Sequence, residues 1–282
     1  MSTATITAAD INKLRQTTGA GMMDCRKALV ESDGDFEKAI DYLRKKGQKV
    51  AALRSDREAK EGVIIATTTP DNKTGFIVTV ACETDFVAKN SDFVAFAQSI
   101  VAVALKNDVK TLEELLAASL DGATVSDKIN DQVAKIGEKI QLARFERVDS
   151  EGVSAYIHGA YRMGVLVALN KNTPAVLEAG KDLAMQIAAM NPVAVDPESV
   201  PAEVVAREKS VVTEQIKNDP KMAGKPDAMI DKIAEGKLNA FFKENTLTAQ
   251  AYVKDASKTV GDYLKSVDAG AKVIQFKRVQ LG

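Results

Sequence analysis

Two stretches of this chain spell the same succession of a β-branched strand, a tight turn, a returning strand and an apolar helix. In the first, Val63 to Thr69 is β-branched except at Ala66, Pro70-Asp71-Asn72 is a turn signal, and Gly75 to Val80 returns. Ser91 can cap the helix that follows, which carries Phe93, Phe96, Ala97, Ile100, Val101 and Ala104 on one stripe. In the second, Gly152 to Ile157 is a strand, His158 to Met163 is the turn, and Gly164 to Leu169 returns. Thr173 as N-cap and Pro174 at the first helical position then open a helix through Val176, Leu183, Ala184 and Ile187. An antiparallel hairpin needs cover on an apolar face, and the helix after it supplies that cover. The duplication therefore predicts an α+β core of two similar subdomains packed side by side, a helix on one face of each sheet. Residues 62–151 make the first subdomain, and 152–200 with 246–282 the second.

The remaining segments attach to this core. Residues 1–47 read as a three-helix bundle. Its first helix starts at a capping-box-like Thr7/Asp10 and stops before Gly19. Its second runs from about Met23 to near Gly34 and buries Ala28 and Leu29. Its third follows Asp35 as N-cap, carries Phe36, Ala39, Ile40 and Leu43, and stops at Gly47. Residues 48–61 are charged and poor in large apolar groups, so they read as an exposed, partly helical linker. Residues 111–135 read as connecting helices, and 139–148 as either a third strand of the first sheet or a bridge between sheets. A helix from Ser257 to about Val267 precedes a closing strand over 271–279. Residues 201–245 differ in texture. One apolar stripe runs through Val204, Val205, Val211, Val212 and Ile216, and a second through Met229, Ile230, Ile233, Ala234, Leu238, Phe241 and Phe242. A Pro/Gly tip with Pro220, Gly224 and Pro226 joins them, the pattern of an antiparallel, coiled-coil-like hairpin projecting from the core. This arm can equally be self-packed or partner-binding.

Composition removes most chemistry. With 282 residues the chain has room for about two domains of roughly 150 residues. Lys and Arg number 38 against 39 Asp and Glu, a balance that argues against duplex nucleic acid as the main partner. Apolar runs such as 164–169 are too short to span a bilayer. The amino-terminal residues lack a basic and apolar leader, and two cysteines suit a reducing cytosol, so a cytoplasmic location is expected. One histidine and two distant cysteines give no zinc spacing, and neither a phosphate-binding loop nor a Gly-x-Ser-x-Gly elbow is present. The expectation is a non-enzymatic protein that acts by binding, with no cofactor, metal or nucleotide of its own. Two further classes remain on the sequence: an adaptor built on the bundle, and a small-molecule enzyme using His158 with nearby carboxylates.

Several side chains stand out. At Cys82-Glu83-Thr84-Asp85-Phe86-Val87-Ala88-Lys89-Asn90, a Phe sits beside an Asp at the start of a helix. Either it folds back on its own helix with Thr84 as cap, or it is offered to a partner. Met22 and Met23 follow a Gly-Ala-Gly turn and are either an adaptable contact surface or, one of them, core. His158, at the start of its turn, is ordinarily satisfied by local hydrogen bonds.

The Thr84-Asp85-Phe86-Val87 stretch resembles a motif of the elongation factor Ts family. So do the run Thr18 to Leu29, the run His158 to Val167, and Lys135-Ile136-Gly137-Glu138, all in the family's order from about residue 6 to 280. The resemblance implies a ubiquitin-associated-like bundle, a two-subdomain core and a coiled-coil protrusion. It also implies guanine nucleotide exchange on elongation factor Tu, without nucleic acid or membrane as partner. On that resemblance Phe86 wedges between helices of the partner's GTPase domain, and Asp85 hydrogen-bonds displaced groups there. The Mg2+–GDP that is disturbed belongs to the partner. Thr84 and Val87 flank the wedge. Arg15, Met22, Met23 and Arg26 form the bundle's docking face, and Ile136, Gly137, His158 and Val253 are further contacts. Arg26 stands where relatives commonly have Lys, and Lys254 where they often have an apolar residue. Many members also carry a further helical module after the last strand.

Overall fold

The computed structural model describes residues 6–219 and 226–282. Pro220 and Gly224 of the expected tip lie outside the described residues. Helices α1 (Ala8–Thr18), α2 (Met22–Glu31) and α3 (Phe36–Leu53) open the chain. Thr7 and Asp10 cap α1 reciprocally, Gly19 closes it in the left-handed conformation at φ 69°, and Asp35 caps α3. Leu14, Cys25, Ala28, Leu29, Ala39 and Leu43 form a buried core between the three helices.

Gly47 does not end α3. The helix continues six residues to Leu53 because Gly47 lies where α3 crosses a later helix, α7 (Val125–Ile136). A Cβ there would sit 3.0 Å from both Ala134 Cβ and the Asn130 carbonyl oxygen. The glycine is there for a close approach, and packing outweighs its helix penalty of about 0.5–1 kcal/mol. The rest of the expected linker is tethered. Arg54 and Arg57 pair with Glu83 at 2.8 and 3.3 Å, and Lys139 Nζ donates to the carbonyls of Ser55 and Arg57.

Strands β1 (Glu61–Thr68) and β2 (Thr74–Cys82) form the first hairpin, followed by the single turn α4 (Asp85–Ala88) and α5 (Ser91–Asn107). Ser91 is the first residue of α5, not its cap. Asn90 caps it, its side-chain oxygen accepting from the Asp92 and Phe93 amides, because an Asn one residue earlier reaches both free N–H groups. The connecting region holds α6 (Leu112–Ala117), a two-residue strand pair β3 (Ser119–Leu120) and β4 (Ala123–Thr124), and α7 (Val125–Ile136). A strand pair thus interrupts the expected helices, turning through Asp121 and Gly122 at positive φ. Strand β5 (Gln141–Asp149) pairs with β2, so 139–148 belongs to the first sheet, in order β1-β2-β5.

The second unit comprises β6 (Gly152–His158), β7 (Met163–Leu169) and α8 (Pro174–Met190). Helices α9 (Ala202–Asn218) and α10 (Asp227–Asn245) form the antiparallel arm. The short pair β8 (Ala251–Tyr252) and β9 (Asp255–Thr259), helix α11 (Val260–Val267) and strand β10 (Val273–Gln280) complete the chain. Helix α11 starts at Val260, later than the expected Ser257, because Thr259 and Asp262 form a capping box while 255–259 pairs as a strand. The second sheet runs β10-β7-β6, all antiparallel.

The sheets stack face to face and are not side by side. Val63, Ile65, Phe76 and Val78 point into α5, whereas their alternates Ile64, Ala66 and Ile77 meet Val153, Leu166, Ala168 and Val279 of the second sheet. Met163, Val165, Val167 and Leu169 then face α8 and α11. The result is a helix–sheet–sheet–helix sandwich in which β2 and β7 are buried on both faces, matching the apolar run of β7 and the nearly continuous one of β2, which the buried Thr79 interrupts. In the arm, Val212, Ile216, Ile230 and Ala234 meet between the helices. Val211 and Met229, counted above in the stripes, face solvent instead. No helix among the described residues is long and apolar enough to cross a membrane.

Candidate partner-binding surface

The loop after β2 is built to hold one side chain outward. Thr84 is the N-cap of α4, its hydroxyl accepting from the Val87 amide at 3.4 Å and donating to Glu138 Oε1 at 2.7 Å. Val87 and Ala88 tuck against the first core. Phe86 points the other way and is 84 % exposed. It does not fold back on its own helix. At 84 % it is the most exposed of the large apolar side chains among the described residues.

Beside it, Asp85 pairs with Lys89 Nζ at 2.6 Å, and this hydrogen bond holds the Asp85 carboxyl below its ordinary value of 3.8. Phe86, Asp85 and Lys89 share an open groove with Glu61, Glu83, Thr84 and Arg162. Arg162 comes from the turn of the second hairpin and pairs with Glu61 at 2.6 Å. That turn runs through Gly159, Ala160 and Tyr161, all at positive φ, and docks on the first sheet where the Tyr161 carbonyl accepts from the Ile64 amide at 2.8 Å. The stacked sheets thus bring two segments distant in sequence to one surface.

The other candidates fall into three places. Met22 and Met23 are 54 % and 71 % exposed at the start of α2, with Arg15 and Arg26 also exposed, so neither Met belongs to the bundle core. Gly137 ends α7 in the left-handed conformation at φ 79°, and Ile136 is half-buried against the first core. His158 is exposed at the end of β6, its Nδ1 2.9 Å from the Tyr156 hydroxyl. Val253, 49 % exposed, tips the β8–β9 turn. Its amide donates to the buried Gln186 Oε1 at 2.8 Å. Around it Tyr252 and Tyr263 stack at 4.2 Å, and both hydroxyls, with Lys254 Nζ, donate to Asp182. Burial would raise the Asp182 carboxyl, but Lys254 and the two tyrosines outweigh it and hold it below the ordinary value.

The surface can be set beside known proteins. A sequence model of the family described as Elongation factor TS matches residues 83–282. The elongation factor Ts of Flavobacterium psychrophilum is 50 % identical over 279 residues, covering 99 % of this chain and 100 % of the relative. That of Christiangramia forsetii is 48 % identical with the same coverage. The chain belongs to the elongation factor Ts family. A more distant relative, the elongation factor Ts of Porphyromonas gingivalis, is 44 % identical over 98 % of both chains.

Among the residues that resemblance to elongation factor Ts singled out, the structure gathers Thr84, Asp85 and Phe86 into one groove. Ile136 and Gly137 adjoin it through their neighbour Glu138, which holds the same loop. The bundle residues, His158 and Val253 are separate exposures. Sequence reasoning passed over Glu83, Glu138 and Arg162. Glu138 and Arg162 sit inside stretches that resemble the elongation factor Ts family, so their neighbours were the available signal. It also passed over Asp182 and Gln186. Gln186, a fully buried polar residue on the apolar stripe of α8, was the visible clue there.

Proposed function

We propose that this chain binds the GDP form of elongation factor Tu and speeds release of the nucleotide during translation elongation. No bond is made or broken. The nucleotide of such a GTPase is held by backbone groups around its phosphates and by Mg2+. A protein that binds better once those contacts are disturbed must, by linkage, weaken nucleotide binding by the same factor. Each tenfold requires about 1.4 kcal/mol of differential contact.

Phe86 supplies the first part of that energy. Its exposure in the free chain is the observation that carries the proposal, because only a ring still in water has its transfer free energy left to give. Burying it against apolar groups of the partner is worth roughly 1.5–3 kcal/mol, or about one to two decades of nucleotide affinity. Asp85, ionised and half-buried beside Lys89, accepts hydrogen bonds from polar groups the ring displaces. Thr84 and Val87 anchor the turn. Met22 and Met23, flanked by Arg15 and Arg26, dock the bundle on the same domain, and Ile136, Gly137, His158 and Val253 widen the contact. None of these roles needs a metal, cofactor or nucleotide on this chain, and His158 acts by contact without acid–base work.

The test is stopped-flow release of fluorescent GDP from the cognate elongation factor Tu, with wild type and Phe86→Ala. Wild type accelerates release and the variant loses about a decade or more. A variant as fast as wild type refutes the wedge. A wild type without effect refutes exchange and leaves an adaptor function, which predicts binding that survives loss of Phe86.

A further inference from the structure

Phe86 is 84 % exposed and belongs to neither core, so its orientation is set chiefly by the backbone of a helix one turn long. Such a turn does not hold itself, since a single turn fixes several dihedrals for very few hydrogen bonds. The Glu138 carboxylate does the holding. Its Oε2 accepts the amides of Glu83 and Thr84 at 3.1 and 3.0 Å, and its Oε1 accepts the Thr84 hydroxyl at 2.7 Å. Glu83 answers in kind. Its carboxylate accepts the Lys139 amide at 2.5 Å and carries Arg54 and Arg57. Two carboxylates far apart in sequence thus clamp each other's backbone by charge-assisted bonds, which are about twice as strong as neutral ones. The clamp joins the end of α7 to the start of α4.

We infer that Glu138 is a positioning residue for Phe86, fixing the turn so that the ring is offered in its binding orientation before a partner arrives. The inference rests on the exchange function proposed above. Without the carboxylate, the two amides and the Thr84 hydroxyl lose their acceptor, the turn frays, and its ordering must be supplied at binding.

The chain contains no Trp, so Phe86→Trp places a single fluorescent reporter at the ring position of the full-length protein. Its time-resolved anisotropy should decay mainly with overall tumbling. Adding Glu138→Ala should introduce a fast component of nanoseconds, the scale of loose loops. Glu138→Gln, whose amide oxygen still accepts both backbone amides, should stay near the parent. In the chain with native Phe86, Glu138→Ala should raise the concentration giving half-maximal GDP release by about tenfold, roughly the backbone ordering cost of one residue, with Glu138→Gln recovering most of it.

A folded Glu138→Ala that leaves either the ring mobility or the half-maximal concentration at the parent value overturns the inference. Should Glu138→Ala not fold, Glu138→Asp, too short to reach both amides and the hydroxyl, carries the same two measurements with the same criterion. A wild type that releases no GDP overturns the exchange function instead, and the anisotropy then decides alone whether Glu138 fixes the ring.

Discussion

Helix propensity and packing make opposite predictions for Gly180→Ala. Gly180 lies in the middle of α8, where alanine gains about 0.5–1 kcal/mol over glycine in an open helix. Here the added Cβ would overlap Ser154 Oγ, lie 2.7 Å from Leu169 Cδ1 and 2.9 Å from Ser154 Cβ. Overpacking of this kind costs typically 1–3 kcal/mol. Ser154 is 4 % exposed and its hydroxyl donates to the Leu177 carbonyl at 2.7 Å. Pushing it off that acceptor costs a further 1–3 kcal/mol, roughly, for an unsatisfied buried group. The balance is a net loss of about 1–5 kcal/mol. With an m-value of about 3 kcal/mol/M, the urea midpoint followed by circular dichroism should fall by about 0.3–1.7 M. Because Asp182 and Gln186 lie just beyond on α8, the near-ultraviolet signal of the stacked Tyr252 and Tyr263 should change as well. The double variant Gly180→Ala/Ser154→Ala should be at least about 1 kcal/mol more stable than the sum of the single effects requires, since it removes the hydroxyl that the new Cβ overlaps and loses the Ser154–Leu177 hydrogen bond only once. A midpoint at or above wild type would show that α8 can lift from the sheet at no cost and would sink the argument.

The two thiols should be silent in the folded chain. Cys25 is raised above 9.0 by burial, and Cys82 is pushed up to about 12, by burial first and then by the charge of Glu138. A thiol-disulfide reagent at pH 8 should therefore find no thiol before unfolding and two after it, and fast native labelling of either would contradict their burial. The same shifts mean that stability from the neutral thiols, present in full below pH 9.0, is lost as pH rises from there towards about 12. Glu83 works in the other direction. The Lys139 amide, then Arg54 and Arg57, hold its carboxyl below 4.5. Its contribution is therefore present above that pH and lost as pH falls through the depressed value. The stability gap between wild type and Glu83→Gln should shrink in thermal melts taken from pH 6 to pH 3, and a constant gap would mean that the charge of Glu83 does no stabilising.

Local chemistry made much of the fold legible. The duplicated hairpins, the capping pair at Thr7 and Asp10, and the two arm helices follow from turn residues and periodicity, which act over a few residues. Gly47 was misread because a glycine that ends a helix and one that lets two helices touch look alike until the partner helix, α7, is known. Ser91 lost the cap to Asn90 for a reason of single-residue register. How the sheets stack was not legible, since strands buried on both faces need a second sheet that the pattern does not point to. At the site, Phe86 and the methionines stood out as residue types in unusual places, yet their exposure had to be observed. The clamp of Glu83 and Glu138 was invisible, because nothing in a sequence distinguishes a carboxylate aimed at backbone amides across the fold from one facing water.

The continuity of α3 has a consequence for avidity. A charged linker would have tethered the bundle at an effective concentration set by chain statistics. Instead an 18-residue helix, about 27 Å long, runs from the bundle onto α7, and the residues after it are pinned by Glu83 and Lys139. The methionine face and the Phe86 groove are therefore two prongs at a fixed spacing. For any partner that touches both, the freedom lost on engaging the second prong has already been given up in folding. A partner whose two sites sit at another distance gains nothing from the second prong, so the strut selects by geometry where a tether would have been permissive.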